Sequence, residues 1–168
     1  MIQIKNAAEL QKMRKACAIS AAALKAGGEA IEPGITTAEI DKIIYDFIVR
    51  HGARPNFLHL YGFPATACIS VNDTVIHGIP NKQQQIRPGD IVSIDTGCKI
   101  DGFNGDNACT YACGKIDLEA QRLLDVTKES LHRGIEMACG GNRVGDIGHA
   151  VQSYVEENGF SVVRTFVG

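Results

Sequence analysis

The chain has 168 residues and a net charge of −2, with 45% of its residues hydrophobic and 21% charged. A chain of this length can bury the core of one globular domain, and the composition is ordinary for such a domain. The charge gives no electrostatic reason to expect binding to DNA or to an anionic membrane. No apolar run approaches the length of a membrane span, and Met1–Asn6 lacks the apolar stretch of a signal peptide.

Six cysteines lie among apolar and small residues, and none belongs to a C-x-x-C pair. Such surroundings are typical of buried free thiols, and reduced thiols are typical of cytoplasmic proteins. We therefore expect free cysteines and a cytoplasmic location, in preference to a disulfide framework or a zinc knuckle.

Two helices are predicted at the start of the chain. The first should begin at Asn6 and weaken or end at Gly27-Gly28, and the second should run from Thr36 to a stop at Gly52. Each start has a glutamate three residues later, which completes a capping box.

The rest of the chain alternates strands, turns and helices. In order, we predict an aromatic loop at 53–64, strands at 67–71 and 74–76 around an Asn72-Asp73 turn, a polar loop at 81–85, a turn at 87–90, a hairpin at 91–111, helices at 117–137 and 144–158, and a strand at 160–168. This order indicates a single α+β domain over 1–168, with helices packed on one face of an antiparallel sheet.

The hairpin carries the most informative chemistry. Asp101-Gly102 between two runs of β-forming residues predicts a two-residue turn. With that register, Asp95 faces Ala108 and Asp106 faces Gly97. The two aspartates are then diagonal neighbours on one face, which we call the aspartate face, with Cα atoms roughly 7–8 Å apart.

Two carboxylates so close together repel each other unless they share a proton or a cation. A divalent metal ion is the natural occupant of such a pair. The small residues Gly97 and Ala108 leave room beside the carboxylates. An exposed edge hairpin with two solvated aspartates is the alternative, and a bulge in either strand would separate the two side chains.

His77 follows an apolar run and precedes Gly78-Ile79-Pro80, where the chain must turn. A histidine at such a place can reach into a pocket and donate a hydrogen bond or move a proton. The alternative, which the local sequence alone slightly favours, is a histidine that is bonded to a nearby backbone carbonyl.

In this order, several runs resemble the type I methionine aminopeptidases. The resemblance extends from the first helix to Gly168. The runs that carry it are Tyr61-Gly62-Phe63-Pro64, Cys68-Ile69-Ser70-Val71-Asn72, Val75-Ile76-His77-Gly78-Ile79-Pro80, Gly89-Asp90-Ile91-Val92-Ser93-Ile94-Asp95 and Asp101-Gly102-Phe103-Asn104-Gly105-Asp106.

The resemblance implies the N-terminal half of a pita-bread fold and the metal-dependent removal of the initiator methionine from new proteins. It implies two divalent metal ions (cobalt, manganese, iron or zinc), with Asp95 binding one and Asp106 bridging both. His77 would contact the substrate near the scissile amide. Phe57, Phe63 and Cys68 would help to form the pocket for the methionine side chain, although ordinary core packing is the alternative for these three.

The chain departs from the family at two places. Leu60 stands where the family commonly has a tyrosine, which affects the shape of the pocket. The family's remaining metal ligands, one histidine and two glutamates, lie beyond the residue that matches Gly168. We therefore expect this chain to hold part of the di-metal site, to bind metal weakly at most, and to lack activity by itself.

Two functions stay open on these grounds. The chain is either part of a methionine aminopeptidase, completed by a further segment or a second chain, or a non-catalytic half-fold that serves as a binding or assembly module. A prolidase-like peptidase fits less well. The expected partners are the N-terminus of a peptide or nascent chain, the ribosome, and a C-terminal half or a second copy that covers the surface a half-fold exposes.

Overall fold

The computed structural model describes residues 3–164, and the chain divides into two units, Met1–Ile116 and Asp117–Gly168. The expectation of a single domain over 1–168 stays a prediction. The first unit contains helices α1 (Ala7–Glu29) and α2 (Thr37–Arg50), strands β1 (Arg54–Pro55), β2 (Ala67–Val71), β3 (Ile91–Ile100) and β4 (Phe103–Ala112), and a 3₁₀ helix at Leu60–Gly62.

The sheet of the first unit is antiparallel, and β3 lies at its centre. One side of β3 pairs with β4 along its whole length, and the other side pairs with β2 and then with β1. Asp95 lies opposite Ala108 and Asp106 lies opposite Gly97, with continuous pairing from Ile91 to Ile100. The predicted hairpin register is therefore confirmed, and no bulge separates the two aspartates.

Helices α1 and α2 cover the face of the sheet opposite the aspartate face. The capping boxes predicted at Asn6 and Thr36 both form and begin α1 and α2. Helix α2 ends at its C-cap His51 and is followed by Gly52, which has a φ of +73° as a helix stop requires. Buried aliphatic residues of both helices and of strands β2 and β3 form one core: Leu24, Ile40, Ile44, Ile48, Ile69, Val71, Val92 and Ile94. The predicted α+β arrangement is confirmed.

The first helix runs through Gly27 and Gly28 and ends one residue later, close to the predicted end. Helix α1 continues to Glu29 because both glycines lie where other elements approach closely. A Cβ at Gly27 would lie 2.7 Å from the Ile44 side chain, and one at Gly28 would overlap the ring of Tyr111. The absence of side chains allows α1 to pack against α2 and β4, and this packing offsets the poor helix propensity of glycine.

The second unit contains α3 (Leu118–Glu136) and α4 (Val144–Glu157), within about two residues of the predicted bounds. Asp117 caps α3, with its side chain accepting from the Ala120 amide at 2.8 Å. Within this unit, the Arg133 guanidinium lies over the Tyr154 ring at 3.9 Å from its centroid. Among residues 3–164, no helix is long and apolar enough to cross a membrane.

Two predicted strands are not found where they were expected. Residues 74–76 are irregular, and Val75 and Ile76 are 65% and 44% exposed, because this segment leaves the sheet instead of pairing with it. Residues 160–164 form no strand, and residues 165–168 of that prediction lie outside the described part of the chain.

Candidate functional site

The aspartate pair lies on the open face of the β3–β4 hairpin. Asp95 is half-buried and Asp106 is exposed. Burial raises the pKa of Asp95 to about 6, with the charge of Asp106 as the second cause and His77 acting in the opposite direction. The two carboxylates and His77 therefore lie close enough to influence one another.

A divalent cation would relieve this repulsion, and oxygen ligands of this kind suit it. The donor chemistry of the pair thus fits a metal ion. The number of donors does not complete a site, since residues 3–164 contain no group of three or more histidine, cysteine or acidic side chains that could hold a metal. His77 is near the pair but does not complete such a group.

A depression of about 520 Å³ opens beside Asp95. All four residues predicted to contact substrate line its wall, so the structure brings them together with one of the two predicted metal ligands. The residues lining the depression are Phe57, Leu60, Tyr61, Gly62, Phe63, Pro64, Cys68, His77, Ile79 and Asp95. Asp106 is absent from this wall and lies one diagonal step further along the aspartate face.

The wall of the depression is mainly apolar. Cys68 lies on β2 directly opposite Asp95. Burial, followed by the charges of Asp95 and Asp106, raises the pKa of the Cys68 thiol to about 11, so this thiol stays neutral at physiological pH. A neutral thiol and two phenylalanines in one wall present a surface on which a thioether side chain packs well.

The loop between β1 and β2 supplies most of this wall. Both strands pair with β3, so the residues between them must leave the sheet close to Asp95 and Gly97. His59 and Tyr61 adopt left-handed backbone conformations within this loop, with φ of +70° and +50°. Backbone strain of this kind is often found at ligand sites.

One half-buried residue near the depression was missed by the sequence analysis. Asp41 of α2 accepts hydrogen bonds from the backbone amides of Thr66 and Ala67, at 2.9 and 2.8 Å, just before Cys68. An aspartate in the second turn of an amphipathic helix is usually solvated, so the local sequence carries no signal for this role.

The fold and the aspartate hairpin together define a class of metallopeptidase. The model of "Metallopeptidase family M24" matches residues 11–168, and the chain belongs to this family. Its relatives include the methionine aminopeptidase of Clostridium perfringens, 51% identical over 168 residues that make up 100% of this chain and 67% of that protein. Methionine aminopeptidase 1 of Bacillus subtilis is 45% identical with the same coverage.

Solved structures agree with this assignment. The methionine aminopeptidase of Rickettsia prowazekii superimposes with a TM-score of 0.96 at 38% identity, covering 99% of this chain and 66% of that one. Aminopeptidase P from Escherichia coli shares the fold with a TM-score of 0.80 at 23% identity, over 92% of this chain and 34% of the other. The chain spans about two thirds of the length of the methionine aminopeptidases it matches.

Proposed function

We propose that the chain takes part in the metal-dependent removal of N-terminal methionine from peptides and new proteins. The observation that carries this proposal is the shared wall of the depression, where Asp95 and His77 meet the apolar side chains of Phe57, Phe63 and Cys68. A methionine side chain in this depression would bring its amino group and its first peptide bond next to the carboxylate and the imidazole.

In this proposal the residues have separate roles. Asp95 and Asp106 hold the cations, and the other ligands come from outside residues 3–164. When bound, a pair of divalent ions supplies Lewis acidity and makes hydroxide available near neutral pH. His77 donates a hydrogen bond at the scissile amide, and the apolar wall selects methionine by its shape and its sulfur. The identity of the metal (cobalt, manganese, iron or zinc) belongs to the proposal.

The proposed partners follow from the same function. The substrate is the free N-terminus of a peptide or nascent chain, which places the protein in the cytoplasm and near the ribosome. Its six free thiols suit a reducing compartment. Self-association, or pairing with a C-terminal half, stays a prediction that light scattering over a range of protein concentrations tests.

The proposed function is tested by methionine release from the peptide Met-Gly-Met in the presence of manganese or cobalt. Where the protein releases methionine, alone or with the segment that completes its site, we expect Asp106→Asn to lower release by on the order of 100-fold or more, because even residues that only support metal ligands have effects of about 10–100-fold. Asp101→Asn is the matched control, since it changes the same group in the same hairpin at a residue that pairs with Lys15 instead.

Release that persists in Asp106→Asn would contradict the assignment of the metal ligands. No release from a folded protein would mean that a further segment or a second chain must complete the site. Titration calorimetry with manganese then separates two cases. A weak site that disappears in Asp106→Asn supports a partial metal site, and equal heats in both proteins favour the non-catalytic binding module.

A further inference from the structure

We propose that Ser70 is a positioning residue for His77 and acts through the backbone of Gly78. The inference rests on the proposed function, in which His77 acts at the scissile amide. It assigns to a buried serine hydroxyl the task of fixing the direction in which that histidine points.

The segment that carries His77 is attached to strand β2 by two hydrogen bonds at the next residue. The Gly78 amide donates to the Ser70 hydroxyl at 3.1 Å. The Ile69 amide donates to the Gly78 carbonyl at 2.8 Å. A Cβ at residue 78 would overlap the carbonyl oxygen of Ile69, so the backbone of Gly78 lies directly on β2.

His77 needs such a constraint because its own conformation is unfavourable. Its φ is +57°, in the left-handed region that a residue with a Cβ seldom adopts. Such a conformation is strained and persists only where the surrounding structure enforces it. The imidazole itself is exposed, so burial of the ring does not supply the constraint.

The other attachments of this segment lie further away along the chain. At its start, the Asn72 side chain donates to Asp90 at 2.9 Å and accepts from the Ile91 amide at 3.0 Å. At its end, the Asn81 amide donates to the Thr37 hydroxyl at 2.9 Å. Between these ends, the two hydrogen bonds at Gly78 are the ones adjacent to His77.

The position of Ser70 in the sheet explains the direction of the constraint. Ser70 and Cys68 point to the same face of β2, and their partners on β3 are Ser93 and Asp95. Ser70 is only 4% exposed, so its hydroxyl is held in place by the packing around it. The two hydrogen bonds at Gly78, which we call the clamp, therefore lie one row along the sheet from Asp95. The clamp keeps His77 at the wall of the depression, which His77 and Asp95 both line.

Three variants test this role. Ser70→Ala removes the acceptor but leaves the Ile69–Gly78 backbone bond. Ser70→Thr keeps a hydroxyl on the same strand. Ser93→Ala is the matched control, because this hydroxyl lies directly opposite Ser70 and bonds to Thr110 at 2.8 Å, with no bond to Gly78.

We expect hydrogen exchange of the Gly78 amide, followed by NMR, to become about 10-fold faster in Ser70→Ala, since the loss of one hydrogen bond raises the equilibrium constant for local opening by about that factor. Ser70→Thr should restore slow exchange, and Ser93→Ala should match the original protein. In methionine release, Ser70→Ala should lower kcat and leave KM nearly unchanged, with recovery in Ser70→Thr.

Unchanged Gly78 exchange in folded Ser70→Ala, or equal acceleration in Ser93→Ala, would overturn the clamp. Faster exchange together with an unchanged kcat would overturn the positioning role. If none of the proteins releases methionine, a further segment or a second chain must complete the site, and the position of the His77 ring still decides the inference. Ring resonances that shift in Ser70→Ala and return in Ser70→Thr support it, and unchanged resonances refute it.

Discussion

Single residues connect the helices of this protein to its site, and Asp41 is the clearest example. One oxygen of this carboxylate accepts hydrogen bonds from both the Thr66 and the Ala67 amide, at the point where the loop between β1 and β2 enters β2. Burial raises the pKa of Asp41, and the two backbone hydrogen bonds act in the opposite direction without cancelling the effect. Asp41 therefore joins α2 to the strand that carries Cys68.

We expect Asp41→Ala to lower the free energy of unfolding by about 1–3 kcal/mol, because two buried amides lose their acceptor. Asp41→Asn should cost less, since its amide oxygen still accepts a hydrogen bond. Urea denaturation measures both values. Equal losses of unfolding free energy in the two variants would show that the hydrogen-bond acceptor at residue 41 is not the source of the stabilisation.

The same residue predicts a pH dependence. A carboxyl with a raised pKa keeps its proton in the folded state at pH values where the unfolded chain has lost it. The contribution of Asp41 to stability therefore falls as the pH rises from its ordinary value of 3.8 through the raised folded-state pKa. Asp41→Asn should remove this part of the slope, so urea curves of the two proteins should diverge over this interval.

At the level of helices and strands, the elements that local sequence specifies were predicted well. A capping box needs only residues three apart, and both predicted boxes form. Asp101-Gly102 sets the register of β3 and β4 by the turn itself, and through it the meeting of Asp95 and Asp106. The most informative part of the site could therefore be predicted without knowledge of the tertiary structure.

The parts that sequence did not predict depend on distant contacts. Glycines 27 and 28 stay helical because of Ile44 and Tyr111, which are far away in sequence. Residues 74–76 look like a strand by composition, yet the segment leaves the sheet and returns only at Gly78. The wall of the depression is formed by a loop whose path is set by the pairing of β1 and β2 with one strand.

The close packing of α1 against the sheet gives a prediction for glycine substitutions. In an exposed helix, alanine in place of glycine stabilises by about 0.5–1 kcal/mol. Gly148 in α4 has open space around it, so Gly148→Ala should show this gain. Gly28→Ala should instead lose about 1–3 kcal/mol, because the new methyl group overlaps the Tyr111 ring. Thermal unfolding measures both, and a gain at both positions would contradict the packing argument.

For the molecule as a whole, the sheet brings several distant segments to one place. Strand β3 provides Asp95, β4 provides Asp106, β2 provides Cys68 and the clamp for His77, and the loop between β1 and β2 provides the apolar wall. The opposite face of the same sheet is occupied by the aliphatic core. Alternate residues of the same strands thus face the core and the site. The repulsion between the two aspartates lowers the stability of the fold, and the packing of the core must offset this loss.

The loss of stability caused by the aspartate pair should depend on the pH and on whether a metal ion is bound. The raised pKa of Asp95 means that the metal-free protein loses stability as the pH rises from the ordinary value of 3.8 to about 6, because the folded state retains a proton that the unfolded chain releases. Above that range the ionised pair stays repulsive unless a cation binds, and a cation that binds only the folded state stabilises it.

We therefore expect Asp95→Asn to raise the midpoint of thermal unfolding at pH 8 in the presence of a chelator, because one of the two like charges is gone. The same variant should lose the stabilisation that manganese gives to the original protein. Asp101→Asn changes a carboxylate that pairs with Lys15 at 2.8 Å, and this variant should respond to manganese as the original protein does.

Unfolding curves at pH 5 and pH 8, each with chelator and with manganese, compare the three proteins. A midpoint that falls in Asp95→Asn under chelator would show that the pair is not strained by its charge, and the electrostatic case for a metal at this hairpin would then fail.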